Sequence, residues 1–315
     1  MPQLITMGET MVGFVPSSKE PLRYVTEYTT KIAGAESNLA IGVRKLGHSA
    51  GWISKLGDDE FGHLILNRVR GEGIDVSQVK FDDSRPSGIM FKDKSLKETK
   101  IFYYRENSAA CNLSPDDIEE DYIASAEVLH LTGITPVLSE NCRLAVETTV
   151  QYARKHHVDI SFDPNIRLKM WGKTDYTDLI LRILKQSGIV LLGLSEAKIL
   201  LQSEDIDEIF RTIFAFGAAK YVAVKDGARG AWVSDGHEPV HCPPVDCESI
   251  DPVGAGDAFN AGFISGILDG RPVETCGEMG NIMGGMATQS LGDFEGLPSK
   301  EDMQNYLSKR SIVYR

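Results

Sequence analysis

The stretch Asp251-Pro-Val-Gly-Ala-Gly-Asp257-Ala-Phe-Asn-Ala-Gly-Phe263 joins two acids through a glycine-bearing turn and then becomes small and apolar. Gly254 and Gly256 allow the backbone to approach a ligand closely. Apolar residues at four-residue spacing predict an amphipathic helix from about Ala255. Because the start of a helix presents unpaired N–H groups and the positive end of a dipole, this turn suits an anion.

Asp257 lies in the first turn of the predicted helix, and two interpretations of it are open. It is either a surface acid that the helix dipole stabilises or a base held beside a bound phosphate. The turn alone does not separate these interpretations, so the rest of the chain has to.

The composition excludes several classes of protein. The chain has 315 residues and a net charge of −12, which argues against binding to nucleic acid or to anionic membranes. No apolar run approaches the length of a membrane span, and no basic export signal opens the chain. The five cysteines are odd in number and lack Cys-x-x-Cys spacing, which predicts reduced thiols in a cytoplasmic protein.

Strand-like and helical segments alternate after about residue 113. Strands are predicted over 128–132, 158–162, 188–192 and 221–225. Helices are predicted between them over 139–156, 176–185 and, in two pieces, 195–216. This order predicts a parallel sheet with right-handed crossovers. The C-terminal part is predicted to be helical over 255–270, 273–291 and 300–308. Two β-rich insertions, about 12–32 and 78–105, are expected to form a small sheet that acts as a lid.

Ligands of open parallel sheets bind beyond the carboxyl ends of the strands. Glycines, acids, an asparagine and an arginine follow the predicted strands, in Gly8-Glu9, Gly57-Asp-Asp59, Thr132-Gly133, Asp163-Pro-Asn-Ile-Arg167, Gly193-Leu-Ser-Glu196 and Asp226-Gly227. Their convergence on one edge of the sheet predicts a ligand site there.

The chain lacks the motifs of several nucleotide-binding and hydrolytic folds. It has no Gly-x-x-x-x-Gly-Lys-Ser/Thr, no Gly-x-Gly-x-x-Gly near the first strand and no Gly-x-Ser-x-Gly. What remains is a phosphate cradle of another kind, with backbone donors from the 254–256 turn and a base in Asp257. Lys225-Asp-Gly-Ala-Arg-Gly230 follows a predicted strand and can face an adenine, although on its own it is an ordinary β-turn.

Residues 251–263 resemble the C-terminal signature of the ribokinase-like (PfkB) carbohydrate kinases. In the N-terminal half, Ala33-Gly-Ala-Glu-Ser-Asn38, Gly47 and Gly57-Asp-Asp-Glu-Phe-Gly62 resemble that family's other signature region. The resemblance covers essentially the whole chain. It implies an α/β fold in a single domain over 1–315, a three-layer αβα sandwich with a mostly parallel central sheet and a small β-sheet lid.

Within the family, the finer likeness is to the 2-keto-3-deoxygluconate kinases. It rests on Phe102-Tyr-Tyr-Arg105, Leu131-Thr-Gly-Ile-Thr135, Asp163-Pro-Asn-Ile-Arg167, Gly193-Leu-Ser-Glu196, Asp251-Pro-Val253 and Gly292-Asp-Phe-Glu-Gly296. It implies ATP-dependent phosphorylation of 2-keto-3-deoxygluconate at the 6-hydroxyl, with ATP and Mg²⁺ as cofactors and a monovalent cation as a further candidate.

The resemblance also implies a role for each matched residue. Asp257 is the implied general base, and the amides of Gly254, Ala255 and Gly256 hold charge on the transferred phosphoryl group. The residues implied at the sugar acid are Gly34, Asn38, Met90, Tyr103, Arg105, Ile134, Arg167, Asp257 and Asp293. Those implied at the nucleotide are Asn165, Arg167, Ser195, Lys225, Gly227, Gly230, Gly254 and Gly256, and Glu196 is implied in organising Mg²⁺ and its waters.

A sugar acid carries a carboxylate, which the fork of an arginine binds best. Arg105 on the predicted lid and Arg167 on the core are the candidates. The plain alternatives are an exposed strand residue for Arg105 and a capping or surface residue for Arg167. Tyr103 and Tyr104 alternate on a strand, so only one faces the pocket, and the resemblance selects Tyr103.

Three positions depart from the family pattern. Ala33 precedes Gly34 where two glycines are usual, Gly193 stands in place of an asparagine, and Met90 stands where some relatives have a tyrosine. The alternatives to the predicted activity are another sugar kinase, such as a fructokinase or ribokinase, and a catalytically silent sugar-acid-binding protein. A nicotinamide-dependent dehydrogenase would also fit the parallel sheet, but this chain lacks the fingerprint glycines of that class. Because lid sheets can pair across a two-fold axis, a homo-oligomer formed through the lid is expected.

Overall fold

The computed structural model describes residues 1–93, 95 and 100–313, with the backbone alone over 309–313. The strands are β1 (Leu4–Met7), β2 (Met11–Pro16), β3 (Tyr28–Ala33), β4 (Ala50–Gly57), β5 (Val79–Asp82), β6 (Ile89–Asp93), β7 (Lys100–Tyr104), β8 (Val128–Thr132), β9 (Asp159–Asp163), β10 (Ile189–Gly193), β11 (Tyr221–Lys225), β12 (Ala231–Ser234) and β13 (Val240–Cys242). The helices are α1 (Ala35–Lys45), α2 (Glu60–Gly71), α3 (Glu120–Ala124), α4 (Glu140–Lys155), α5 (Leu168–Trp171), α6 (Thr177–Leu184), α7 (Leu194–Leu201), α8 (Ile206–Ala215), α9 (Ala255–Leu268), α10 (Val273–Ala287) and α11 (Lys300–Val313).

The large sheet has the strand order β13-β12-β11-β10-β9-β8-β1-β4-β5. The pairs from β11 to β5 are parallel, and only β12 and β13 run antiparallel to their neighbours. The mostly parallel sheet predicted from the alternation of strands and helices is confirmed, whereas the two antiparallel strands at its edge were not predicted.

Helices cover both faces of this sheet. Alternate residues of β10 belong to different cores, with Ile189 and Leu191 in one and Val190 and Leu192 in the other. The first core is completed by α1, α9 and α10, and the second by α4, α6 and α8. Because both faces of this parallel sheet are covered by helices, most side chains of its inner strands are buried, and their sequences are largely continuous apolar runs. The three-layer α/β architecture is confirmed.

The lid is a four-stranded sheet with the order β3-β2-β6-β7. The prediction that residues 78–105 belong to the lid is wrong for β5, which pairs in parallel with β4 and forms the edge of the large sheet. The reason is topological: β4, α2 and β5 form one strand–helix–strand crossover, which returns the chain to the sheet it left. Residues 94 and 96–99 of the predicted lid lie outside the described residues.

The C-terminal helices differ slightly from prediction, since α10 ends at Ala287 and α11 continues to Val313. Within the described ranges, no helix has the length and apolar character needed to cross a membrane.

Candidate active site

The turn before α9 has a backbone that only glycine adopts easily at one position. Gly254 caps the helix with a φ of 85°, in the left-handed region that side chains rarely tolerate. A side-chain carbon at Gly254 would also lie 2.7 Å from the carbonyl oxygen of Asp293. Both the turn geometry and the close approach of Asp293 therefore require glycine here.

The amides of this turn are only partly used by the protein. The N–H of Ala255 donates to the carbonyl of Pro252 at 3.3 Å. The N–H groups of Gly254, Gly256 and Asp257 have no protein acceptor in the described part of the chain. The predicted anion cradle is thus available at Gly254 and Gly256, while the amide of Ala255 already has a partner.

Gly256 is exposed, and its environment differs from that of Gly254. A side-chain carbon at Gly256 would meet only the Nζ of Lys225, at 3.9 Å. Since protein packing does not demand a glycine at this position, the open space beside it suits the close approach of a ligand.

Asp257 projects from the first turn of α9 into the same space. The amide of Asn38 donates to its Oδ2 at 3.0 Å. Burial raises the pKa of Asp257 to about 7, with smaller increases from the carboxylates of Asp163 and Asp293, against the lowering effects of Asn38 and Arg167. A carboxyl group whose pKa lies near neutral pH is suited to general-base catalysis, because it is both available and basic enough. The interpretation of Asp257 as a base is favoured over a surface acid.

A cavity of about 350 Å³ opens between the lid, the start of α1 and the start of α9. All of the residues predicted at the sugar acid line it, namely Gly34, Asn38, Met90, Tyr103, Arg105, Ile134, Arg167, Asp257 and Asp293. Tyr104 borders a different depression on the outside of the lid, as the alternation of strand side chains requires. The structure brings these residues together, and their individual roles stay predictions.

Arg105 is held in the cavity wall by an acid that follows β1. Glu9 is 3% exposed, and its Oε2 accepts from the Nε and Nη2 of Arg105 at 2.6 and 2.5 Å. The hydroxyl of Ser108 donates to Oε1 of the same carboxylate at 2.5 Å. Sequence reasoning placed Glu9 at the sheet edge but did not identify this ion pair, which orients the guanidinium of Arg105.

Arg167 lines the same cavity and belongs to the core. It follows β9 and its side chain is exposed, with one contact from Nη1 to the carbonyl of Ile166 at 3.4 Å. Arg105 and Arg167 therefore border one cavity from the lid and from the core.

Glu36 is a cavity residue that sequence reasoning missed. It is 1% exposed, and its Oε1 accepts from the hydroxyls of Thr132 and Thr135 at 2.6 and 2.9 Å. Burial raises the pKa of Glu36, although both threonines oppose the rise. A side-chain carbon at Gly8 would collide with this carboxyl group. Gly8 is thus the sequence feature that indicated a close approach of Glu36 to the end of β1.

The sequence matches the pfkB family carbohydrate kinase group over residues 1–300. The chain is a PfkB family carbohydrate kinase. A 2-dehydro-3-deoxygluconokinase of Bacillus subtilis is 35% identical to it, over 99% of this chain and 97% of that protein. The crystal structure of a PfkB protein from Polaromonas sp. is 33% identical, with a TM-score of 0.88, and covers 97% of this chain and 100% of its own. A putative ribokinase II from E. coli, solved in complex with ATP and Mg²⁺, shares the fold, with 24% identity, a TM-score of 0.91 and coverage of 98% and 100%.

Of the residues predicted at the nucleotide, Arg167, Gly254 and Gly256 line the cavity of this kinase, and the others lie outside its wall. Asn165, Ser195, Lys225 and the 227–230 turn follow the carboxyl ends of β9, β10 and β11. Asn165 has a φ of 41°, a strained conformation that is frequent at functional sites. The structure brings this group to the sheet edge that flanks Gly256.

Lys225 connects the two groups of residues in the kinase. Its Nζ lies 2.6 Å from Oδ2 of Asp163 and 3.2 Å from Oδ1 of Asn260. Asn260 also donates to Asp163, so the ammonium is held rigidly near Gly256. A fixed cation beside a free helix N-terminus is suited to a phosphate group.

The two glycines of the 227–230 turn differ in how tightly the protein packs around them. Gly230 has a φ of 90°, and a side-chain carbon there would collide with the carbonyl of Cys242. Gly227 has a φ of 56° and nothing within 4 Å of such a carbon. Packing explains Gly230, while Gly227 leaves room at the surface predicted to border the nucleotide.

Glu196 is bound to backbone amides. Its Oε1 accepts from the N–H of Ile166 at 2.7 Å and its Oε2 from that of Gly193 at 2.6 Å. Burial raises the pKa of Glu196, and the carboxylate of Asp163 adds to the rise. No group of three or more His, Cys, Asp or Glu side chains among the described residues forms a cage for a metal. The role of Glu196 in organising Mg²⁺ and its waters stays a prediction, and kinases usually hold this ion through waters and nucleotide phosphates.

Proposed function

We propose that this carbohydrate kinase transfers the γ-phosphoryl group of ATP to the 6-hydroxyl of 2-keto-3-deoxygluconate, which is also called 2-dehydro-3-deoxygluconate. The observation that carries the proposal is the single cavity in which Asp257 is accompanied by Arg105 and Arg167. Two arginines and a candidate base in the wall of one cavity suit a substrate with a carboxylate at one end and a reacting hydroxyl at the other. The similarity to a 2-dehydro-3-deoxygluconokinase supports the same substrate class.

Asp257 would act as the general base. Asn38 contacts Oδ2 of its carboxylate, so the other oxygen is directed to the substrate hydroxyl. The hydroxyl oxygen forms a bond to the γ-phosphorus while the bond from that phosphorus to the bridging oxygen of ADP breaks. The hydroxyl proton passes to Asp257, and the products are the 6-phosphate and ADP.

The negative charge on the transferred group would be balanced by the protein from two directions. The amides of Gly254 and Gly256 point from the start of α9, and the ammonium of Lys225 lies beside Gly256. Mg²⁺ bound with ATP supplies further neutralisation of the phosphates. The lid covers the cavity and excludes water, which limits transfer to water in place of the sugar.

Release of ADP by the purified protein with four acceptors tests this proposal. The acceptors are 2-keto-3-deoxygluconate, its galacto epimer, fructose and ribose. We expect kcat/KM for a sugar acid to exceed that for either neutral sugar by about 100-fold, because each neutral sugar leaves the charged donors of the arginines unpaired. The position of the phosphate in the product is read by ³¹P NMR.

Asp257→Asn measures the background hydrolysis of ATP in the same assay. A preference for fructose or ribose would assign the protein to another activity of the same family. Tight binding of a sugar acid with no ADP release above that of Asp257→Asn would indicate a silent binding protein.

A further inference from the structure

Lys92 is a lid residue that is buried against the core. It lies on β6 and is only 2% exposed. Its Nζ lies 3.0 Å from Oδ1 of Asp293 and 3.2 Å from Oδ2 of Asp251. An ammonium group removed from water costs several kcal/mol unless such partners compensate it. A buried lysine with two buried acids is therefore a built ion cluster, and the substrate roles predicted above use Asp293 but neither Lys92 nor Asp251.

Each acid of this cluster accepts a hydrogen bond from a part of the candidate site, either the anion-binding turn or Asn38. Oδ1 of Asp251 accepts from the N–H of Val253 at 3.1 Å, in the turn that leads into α9. Oδ2 of Asp293 accepts from the amide of Asn38 at 3.4 Å, and the same amide donates to Asp257 at 3.0 Å. One side of the cluster thus fixes the anion-binding turn, and the other fixes the partner of the base.

We propose that Lys92 is a positioning residue for phosphoryl transfer, whose ammonium ties Asp251 to Asp293 and so holds the anion-binding turn and Asn38 in place for Asp257. The inference rests on the proposed function for the reaction that it serves. Because the ammonium belongs to the lid and both carboxylates belong to the core, the arrangement is complete only when the lid lies on the core. Lid closure and the readiness of the base are thereby coupled.

The inference can be tested by titration, because the charges of the cluster shift the pKa values of its members. Burial raises the pKa of Asp293, and Lys92 opposes that rise. Burial lowers the pKa of Lys92, but the two carboxylates outweigh it and raise that pKa above its usual value. Loss of the ammonium removes the cation that lowers the pKa of Asp293, and Asp293 acts in turn on Asp257, so these two coupled carboxyl groups should bind protons more readily. The other charged groups that act on Asp257 are Asp163, which raises its pKa, and Arg167, which lowers it.

The decisive variant is Lys92→Met, which keeps most of the apolar stem and removes the charge. We expect kcat at neutral pH to fall about tenfold or more and the acidic limb of the kcat–pH profile to move up by about one pH unit. The KM for ATP should change little. Lys92→Met/Asp251→Asn removes one acid as well, so its acidic limb should return toward that of the wild type.

Lys31→Met is the matched control, because Lys31 is another lid lysine whose ion pair with Glu295 is partly exposed. It should keep the wild-type profile. If Lys92→Met does not fold, Asp251→Asn and the double variant give the same comparison in a protein with one fewer buried acid. Carboxyl ¹³C NMR titration of Asp257 and Asp293, assigned with Asp257→Asn and Asp293→Asn, reports the same shift without any substrate.

Two results would overturn the inference. The first is a folded Lys92→Met with the kcat and acidic limb of Lys31→Met. The second is a loss of melting temperature with unchanged titration of both carboxyl groups, which would limit Lys92 to lid packing. If the wild type phosphorylates no sugar acid, the proposed function fails, and the NMR titration alone decides the role of Lys92.

Discussion

The pKa of Asp257 decides the pH range in which this residue can act as a base. Burial raises its pKa to about 7, so it is ionised above that pH and protonated below it. We expect kcat to rise with pH through about 7, because only the ionised form accepts the hydroxyl proton. A kcat–pH profile flat from pH 5 to 8 would be incompatible with this assignment.

Asp257→Asn should reduce kcat by about 10²- to 10⁴-fold, the usual contribution of a general base. The variant should fold, since asparagine keeps an oxygen for Asn38. A raised carboxyl pKa in the folded state means that stability is full at low pH and is lost as pH rises through about 7. The melting temperature of Asp257→Asn should therefore equal that of the wild type at acidic pH and exceed it at pH 8. Near-normal turnover would refute the base assignment.

Gly254 and Gly256 form a matched pair that separates folding from function. Gly254→Ala should destabilise the protein by about 1–3 kcal/mol, because it combines a left-handed backbone with a collision at Asp293. Gly256→Ala should melt like the wild type, since only Lys225 lies near the new carbon. It should nevertheless lower kcat, because the methyl group occupies the space for the phosphoryl group. Thermal melts and kcat for both variants check this, and full activity of Gly256→Ala would contradict it.

At the scale of the elements, the lid and the core each contribute one arginine to the cavity. Arg167→Ala and Arg105→Ala should raise the KM for the sugar acid by about 10- to 100-fold, the value of a charged hydrogen bond. The KM for ATP should change far less. Equal losses for both ligands would argue against carboxylate recognition.

The two arginine variants should differ in stability. Arg105→Ala leaves Glu9 buried without its partner, whereas Arg167 is exposed and has one weak contact. Arg105→Ala/Glu9→Gln removes the unpaired charge and should recover the stability but not the KM. That variant is the control that separates folding from recognition.

The start of α9 could be predicted from sequence because its determinants are local: glycines in the turn, an acid in the first turn and regular apolar spacing. The assignment of β5 could not. Val79–Asp82 is a short, partly exposed segment that looks the same in either sheet, and only its pairing with β4 assigns it. The strands β12 and β13 were missed because they have only four and three residues, which is too short to show a strand pattern.

At the scale of the whole molecule, the lid presents an exposed aromatic edge. β7 ends the lid sheet, and Phe102 and Tyr104 on it are 47% and 63% exposed. An exposed edge strand with aromatic side chains favours pairing with a second copy. We propose a homo-oligomer formed through the lid, and light scattering of the wild type at micromolar concentration should give a multiple of the chain mass.

Tyr104→Lys should shift this protein toward the monomer, because it places a charge in the paired edge. Leu144→Lys, which changes an exposed apolar residue on α4, is the control and should leave the mass unchanged. A monomeric wild type would contradict the proposal.

The sequence by itself determined the α/β class, the presence of a lid, the anion-binding turn and the family, because each depends on local patterns or on short motifs. The same motifs pointed to the residues that line the cavity. Only the tertiary structure decided how the charges are paired. Glu9 meets Arg105 across 96 residues, and Lys92 meets Asp251 and Asp293 across 159 and 201. Such pairs follow from how the lid lies on the core, and no local pattern encodes them.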